Sequence, residues 1–275
     1  MSNGQTNRLS EQQKTSGGQR GIFDKDAQSH EFSVTEATDK VFDIIKKAHP
    51  LLKFRHRTEI LKKEINTELN KIDSRLGKTL YVQNSKIKPD GGIIEVEDNE
   101  GKWRIILVVE AKYQGKDVEN ILAGKKVGKN KDQDLMVAGN AIERVHKNIN
   151  EIRNLMIKEN HFPYVVFLQG SNFSTKTIEL FAPNGRSVKI KHDSGEMNRI
   201  DRVTAANYSM DINQNHCENI FIKKDESSYI MLQAASIYAQ CEPWKENEMI
   251  KIMLDIAETS LLILSKKLGK TSLHL

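Results

Sequence analysis

Nineteen residues separate Asp90 from the tripeptide Glu110-Ala111-Lys112. An acid two positions ahead of a lysine is common in a chain with 29% charged residues, and Glu100-Gly101-Lys102 is one that falls in a turn. Glu110 differs in context. It closes the apolar run Ile105-Ile-Leu-Val-Val109, which reads as a strand that carries it to the edge of a core. Side chains at i and i+2 of a strand share a face, so Glu110 and Lys112 point together. The run Ile93–Glu97, with Gly91-Gly92 before it and Asp98-Asn-Glu-Gly101 after it, reads as the hairpin partner of that strand and returns Asp90 to the same end. Asp90 and Glu110 are hard oxygen ligands of the kind Mg²⁺ takes, and the backbone carbonyl of Ala111 supplies a third. An ion there would polarise a phosphate ester and acidify a water. Lys112 would stabilise the charge that develops on the phosphate. Two neighbouring carboxylates raise the pKa of a lysine, which suits Lys112 to an electrostatic and positioning role better than to that of a general base. From these residues alone three readings stand: a metal-dependent nuclease, a structural ion cluster, and some other metal chemistry.

A second constellation opens a long amphipathic stretch, Gln133-Asp-Leu-Met-Val-Ala-Gly-Asn-Ala-Ile-Glu-Arg144. Gly139 inside a helix costs about 1 kcal/mol relative to Ala, and a close backbone approach to another surface is one reason to keep it. Asn140, Glu143 and Arg144 lie off the apolar seam. Their side chains match base edges in a major groove, or form an ordinary solvated face. Other motifs carry less. Gly124-Lys-Lys-Val-Gly128-Lys129-Asn130 is one residue short of a phosphate loop, and Gly269-Lys270-Thr271 has Leu264 where that motif needs glycine. His216-Cys217 has no partner pair at zinc-ligand spacing and reads as structural.

The elements that must hold these residues follow from periodicity. A helix is expected from Ser33 to the stop at His49-Pro50, and a second over about 58–72. Strands follow at Thr79–Gln83, Ile93–Glu97 and Trp103–Tyr113. Residues 115–131 are rich in lysine and glycine and read as a flexible basic loop. From Asp132 a helix carries Leu135, Ala138, Ile142, Val145, Ile149, Ile152 and Met156 on one seam. Tyr164–Leu168 is wholly apolar, as a central strand is. Thr177–Ala182 and Ser187–His192, joined by Pro183-Asn-Gly-Arg186, read as a projecting hairpin, and helices are expected at about 196–207, 229–240 and 246–268. Residues 1–20 are too polar to form a core and read as a flexible arm. The whole is one α/β domain over 1–275, a mixed central sheet flanked by helices on both faces.

Composition narrows the class. Two cysteines exclude a disulfide-stapled scaffold and a four-thiolate zinc site. No apolar run reaches the length of a membrane span, and the N-terminus lacks an apolar signal-peptide core, so a cytoplasmic protein with no membrane partner is expected. A net charge of +5 with a pI near 9.0 permits a polyanionic partner.

The segments Pro89-Asp90-Gly-Gly, Val109-Glu110-Ala-Lys112, Gly115-Lys116-Asp117, Gln133-Asp-Leu-Met136, Ala138-Gly-Asn-Ala-Ile-Glu-Arg144, His146-Lys-Asn148, Asp201-Arg202 and Thr204-Ala-Ala-Asn-Tyr208 together closely resemble the EcoRI-type restriction endonucleases, of the PD-(D/E)xK superfamily. The likeness is densest between residues 79 and 208 and weakest in the C-terminal thirty. It implies a Mg²⁺-dependent homodimer that binds double-stranded GAATTC and hydrolyses the bond between G and A on each strand, leaving 5′ overhangs. A partner methyltransferase acting on the same site is implied too. A less specific Mg²⁺-dependent DNase on the same core, or a non-catalytic sequence-specific DNA-binding protein, is the alternative. The resemblance makes Asp90 and Glu110 metal ligands and Lys112 the catalytic lysine. It makes Asn140, Ala141, Glu143 and Arg144 readers of the inner base pairs, and places Met136 and Val137 near the outer one. Arg199 and Arg202 would buttress recognition and touch the DNA backbone; Lys88 and Gln114 would also lie at the DNA. Residues 115–131, with Lys116, Lys125, Lys126 and Lys129, would be an inner arm wrapping the DNA, and the hairpin at 177–192 with residues 1–20 an outer one. Val137 stands where the family has alanine, and Tyr113 where it has histidine.

Overall fold

The computed structural model describes residues 25–78, 84–113, 115, 117–124, 139–174, 177–190, 205–206 and 217–269. In chain order the elements are α1 (Lys25–Ala48), β1 (Phe54–Arg57), β2 (Ile60–Leu61), α2 (Lys62–Asn70), β3 (Lys86–Ile87), β4 (Gly92–Glu97), β5 (Trp103–Tyr113), α3 (Asp117–Leu122), α4 (Gly139–Leu155), β6 (Tyr164–Gln169), β7 (Ile178–Phe181), β8 (Ser187–Ile190), β9 (Ala205–Ala206), β10 (Ile220–Lys223), β11 (Tyr229–Leu232), β12 (Ala235–Gln240) and α5 (Glu246–Ile263). Six strands form the central sheet in the order β1-β4-β5-β6-β12-β9. β1, β4 and β5 pair antiparallel; from β5 through β6 and β12 to β9 the pairing is parallel. The sheet is mixed, as expected.

Two apolar clusters sandwich it. Val34, Ala37, Val41 and Ile45 of α1 and Met249, Met253, Ile256 and Leu261 of α5 cover one face. Ile65 of α2 and Val145, Ile149 and Ile152 of α4 cover the other. Each helix buries the stripe its sequence spacing provides, and two helix layers leave the middle strands dry on both sides.

A bulge decides which layer meets the acids. Ile94 pairs with Leu107 but Glu95 pairs with Ile105, so Ile106 is an extra residue on β5. The extra residue resets the alternation: Ile106 and Leu107 both face the α1–α5 layer, while Ile105 and Val108 face α2 and α4. Beyond the bulge Val108, Glu110 and Lys112 therefore share the α4 side.

The sequence expectations for β4, β5, β6 and the hairpin β7–β8 match elements in the structure, with ends shifted by one or two residues, while α1 starts at Lys25, well before the expected Ser33. Several others are corrected. The segment expected as a helix over 229–240 is two strands, β11 and β12. Ala235–Ala239 is buried throughout, and a short, fully buried apolar run has no alternation to tell strand from helix. Within the helix expected at 196–207, Ala205–Ala206 is the edge strand β9; the rest lies outside the described residues. The second helix starts at Lys62, because Ile60–Leu61 pairs with Lys86–Ile87 instead. The last ends at Ile263, where turns take over. β1, Phe-Arg-His-Arg, is half-buried at the sheet edge and too polar to announce itself. Part of the loop expected at 115–131 is the helix α3, whose Val118 and Ile121 pack on Ile178, Leu180 and Val188 of the hairpin. The strand expected at Thr79–Gln83, residues 1–20 and residues 132–138 lie outside the described residues.

Candidate active site

Asp90 sits in the turn between β3 and β4, and the two glycines after it are there for space. A Cβ on Gly91 would lie 2.7 Å from Val109 Cβ and 2.8 Å from Thr38 Oγ1. Gly92 has φ +83°, and a Cβ there would meet the Arg57 carbonyl oxygen at 2.7 Å. Free of side chains, the turn presses flat against β5, and the Gly91 N–H donates to Val109 O at 3.0 Å. From α1, Thr35 Oγ1 donates to the Asp90 carbonyl at 3.1 Å. The Asp90 carboxylate in turn accepts the Ala111 N–H at 3.3 Å.

The Lys112 ammonium lies where these groups converge. It pairs with Asp90 Oδ2, lies 2.6 Å from Glu110 Oε1, and donates to the Ala111 carbonyl at 2.7 Å. Two carboxylates and a backbone carbonyl thus surround one cation. They are the three oxygens whose chemistry suits a hard divalent ion.

Burial sets the electrostatics. Glu110 is fully buried, whereas Asp90 and Lys112 retain 22% and 16% side-chain exposure, which opens the cluster to solvent on the Asp90 side. Desolvation pushes the Glu110 pKa up to about 7; Lys112 pulls against it and Asp90 adds to it. Burial works against the charged form of Lys112, but Glu110 and Asp90 outweigh it and hold its pKa above the ordinary range. These neighbours favour the charged form of the lysine.

Three further residues enter to which sequence reasoning gave no role at the site. Asn148 Nδ2 donates to both Glu110 oxygens at 3.2 Å, and Tyr164 OH donates to Oε2 at 3.1 Å. His30 is buried, with Nε2 donating to Phe167 O at 3.1 Å, and burial lowers its pKa. The signal for Asn148 was a polar residue flanked on the helix by the buried Val145 and Ile149. Tyr164 opened an apolar strand and read as core.

The other candidates are placed unevenly. Arg144 is exposed on α4, one turn before Asn148 and on the same face of the helix. Asn140, Ala141 and Glu143 lie on the same helix. Lys88 is 59% exposed and 3.3 Å from Glu59. Gln114, Lys116, Lys125, Lys126, Lys129, Met136, Val137, Arg199 and Arg202 lie outside the described residues. No helix among the described residues is long and apolar enough to cross a membrane.

Acids from the start of one strand and the end of its neighbour, with a lysine two residues on, gathered at one end of a mixed sheet between helix layers, define a restriction-endonuclease type of nuclease. Comparison with known proteins narrows this class. The family model described as Restriction endonuclease EcoRI matches residues 16–271. The chain is 54% identical to the type II restriction enzyme EcoRI of Escherichia coli over 266 residues, 96% of each chain. It is 53% identical to the type II restriction enzyme RsrI of Cereibacter sphaeroides over 267 residues, 97% of this chain and 96% of that one. The chain belongs to the EcoRI family of type II restriction endonucleases, site-specific deoxyribonucleases acting on DNA.

Proposed function

We propose that this enzyme recognises the palindrome GAATTC as a homodimer and hydrolyses the phosphodiester between G and A on each strand with Mg²⁺ as cofactor. The observation that carries the chemistry is the Lys112 ammonium held by Asp90, Glu110 and the Ala111 carbonyl. The donor set fits the divalent ion: one fully buried carboxylate, one solvent-facing carboxylate and a carbonyl already surround a cation. Asp90, Glu110 and the Ala111 carbonyl would hold Mg²⁺, which when bound polarises the phosphate and lowers the pKa of water.

The chain's own residues do the rest. Asp90, on the open side, brings the cluster to the DNA backbone. Lys112, favoured in its charged form, donates to the attacking water and offsets charge on the phosphate. Met136, Val137, Asn140, Ala141, Glu143 and Arg144 read the bases; Arg144 offers a planar fork suited to purine edges. Gln114, Lys88, Arg199 and Arg202 lie at the DNA, and Lys116, Lys125, Lys126 and Lys129 of the 115–131 arm neutralise phosphates. The hairpin and the N-terminal residues close from outside. Two-fold symmetry matches a palindromic site. In a cytoplasmic setting such an enzyme needs a methyltransferase that protects the same sequence.

Digestion of a plasmid of known sequence with Mg²⁺, followed by sequencing of the ends, tests this reading. Four-base AATT 5′ ends are expected. Ends centred on another hexamer overturn the specificity and leave the nuclease.

A further inference from the structure

Of the two carboxylates around the ammonium, Glu110 is the one that has lost all contact with solvent, yet it has to present a full negative charge to a cation. Water cannot help it, so the protein has to supply the donors. Oε2 accepts from Tyr164 OH at 3.1 Å and from Asn148 at 3.2 Å; Oε1 accepts from Asn148 at 3.2 Å and faces the Lys112 ammonium at 2.6 Å. Tyr164 stands on β6 opposite Val108, on the same side of the sheet as Glu110, and Asn148 descends from α4 above it. The carboxylate is thus held from a strand and a helix at once, with Oε1 facing the Lys112 ammonium that Asp90 also holds.

We propose that Tyr164 and Asn148 are positioning residues for Glu110: they fix the rotation of its carboxylate so that it would be oriented to hold the divalent ion, and they stabilise the anion without cancelling its charge. The proposal rests on the reading of Glu110 as a metal ligand. Both donors are neutral. A lysine or arginine in their place would stabilise Glu110 equally well but would leave no charge for the ion. The Tyr164 hydroxyl donates to Oε2 and carries no charge of its own. Carboxylates that bind metals depend on such outer hydrogen bonds for orientation, and losing one weakens metal binding by about 10–100-fold.

The test is titration of the metal-free enzyme with Mn²⁺ alone, following the free ion by electron paramagnetic resonance. Tyr164→Phe keeps the ring that stacks on Phe162 and removes only the hydroxyl. Asn148→Leu removes the other donor at similar volume. Each is expected to weaken Mn²⁺ binding by about 10–100-fold, while the cleavage rate at saturating Mn²⁺ stays within several-fold of wild type. Glu110→Gln separates the two levels of the argument. If Glu110→Gln abolishes binding and both donor variants bind as wild type does, the positioning role is overturned and the ligand reading stands. If Glu110→Gln itself binds normally, both fall. A lower melting temperature with unchanged Mn²⁺ affinity would make Tyr164 merely structural, which also overturns the proposal.

Discussion

The strand β5 carries a buried ion cluster at each end, and the two behave in opposite ways. At its start, Arg104 lies 2.7 Å from Asp98 and 2.5 Å from Glu159, and Lys267 lies 2.9 Å from Glu159. Two acids face two bases there, and Asp98 also accepts the backbone N–H groups of Glu100 and Lys102. Burial pushes Asp98 up, but those donors and Arg104 outweigh it and its pKa falls below the ordinary range. Glu159 falls too, with Lys267 and Arg104 outweighing burial. At the far end two acids share one lysine, and Glu110 rises to about 7. The first cluster is electrically complete and ties β5 to the C-terminal segment. The second is short of one positive charge and faces solvent through Asp90. An acid–base cluster becomes a candidate ion site when its carboxylates outnumber its cations and its donors are neutral, not because charged residues are buried together.

The sharpest way to break the comparison is to neutralise one acid in each cluster. Glu110→Gln is expected to reduce Mg²⁺-dependent cleavage to background, because a carboxylate ligand is lost. Metal-free binding to a GAATTC duplex should be kept or strengthened, since a charge that repels phosphate has gone. Glu159→Gln should cleave at nearly the wild-type rate. Equal losses of activity in the two variants, measured on folded protein, would erase the distinction.

The next effect is on stability. Arg104→Met leaves Asp98 buried without its guanidinium and should cost about 3 kcal/mol in denaturant unfolding, with cleavage per folded molecule unchanged. A loss below about 0.5 kcal/mol would place this pair among those that contribute little, as exposed pairs do.

A smaller effect separates the clusters by pH. The Glu110 pKa is raised in the folded protein, so the folded state holds its proton more tightly. Its contribution to stability is full below the unfolded pKa near 4.5 and is lost as pH rises through about 7. Asp98 and Glu159 are depressed and respond the other way, losing their contribution only as pH falls below the ordinary carboxylate range. A divalent ion must displace the Glu110 proton below pH 7, which weakens apparent Mg²⁺ affinity by up to about tenfold per pH unit. Melting curves with and without Mg²⁺ at pH 6 and pH 8 should show a larger gain from the ion at pH 8. A gain independent of pH would mean that Glu110 does not exchange its proton for the ion.

The sequence made β5 legible because an apolar, β-branched run ending in an acid has few other readings. The turn at Asp90 was legible because the paired glycines Gly91-Gly92 mark the boundary before a strand. What stayed hidden depends on tertiary partners. The bulge at Ile106 decides which layer meets Glu110, yet alternation is lost inside so apolar a run. β12 read as a helix because Ala-Ser-Ile-Tyr-Ala-Gln, buried between β6 and β9, has no solvent face to set a period. Tyr164 and Asn148 looked like core and helix surface; only the packing of α4 over β6 brings them to one carboxylate.

The most direct measurement is anomalous diffraction from crystals of the Glu110-intact enzyme soaked in Mn²⁺, an ion that carboxylates accept in place of Mg²⁺. The account predicts a peak among Asp90, Glu110 and the Ala111 carbonyl, with the Lys112 ammonium moved away, and none at the Asp98–Arg104–Glu159 cluster. A peak elsewhere in the protein, with the Lys112 ammonium still held by both acids, would contradict it.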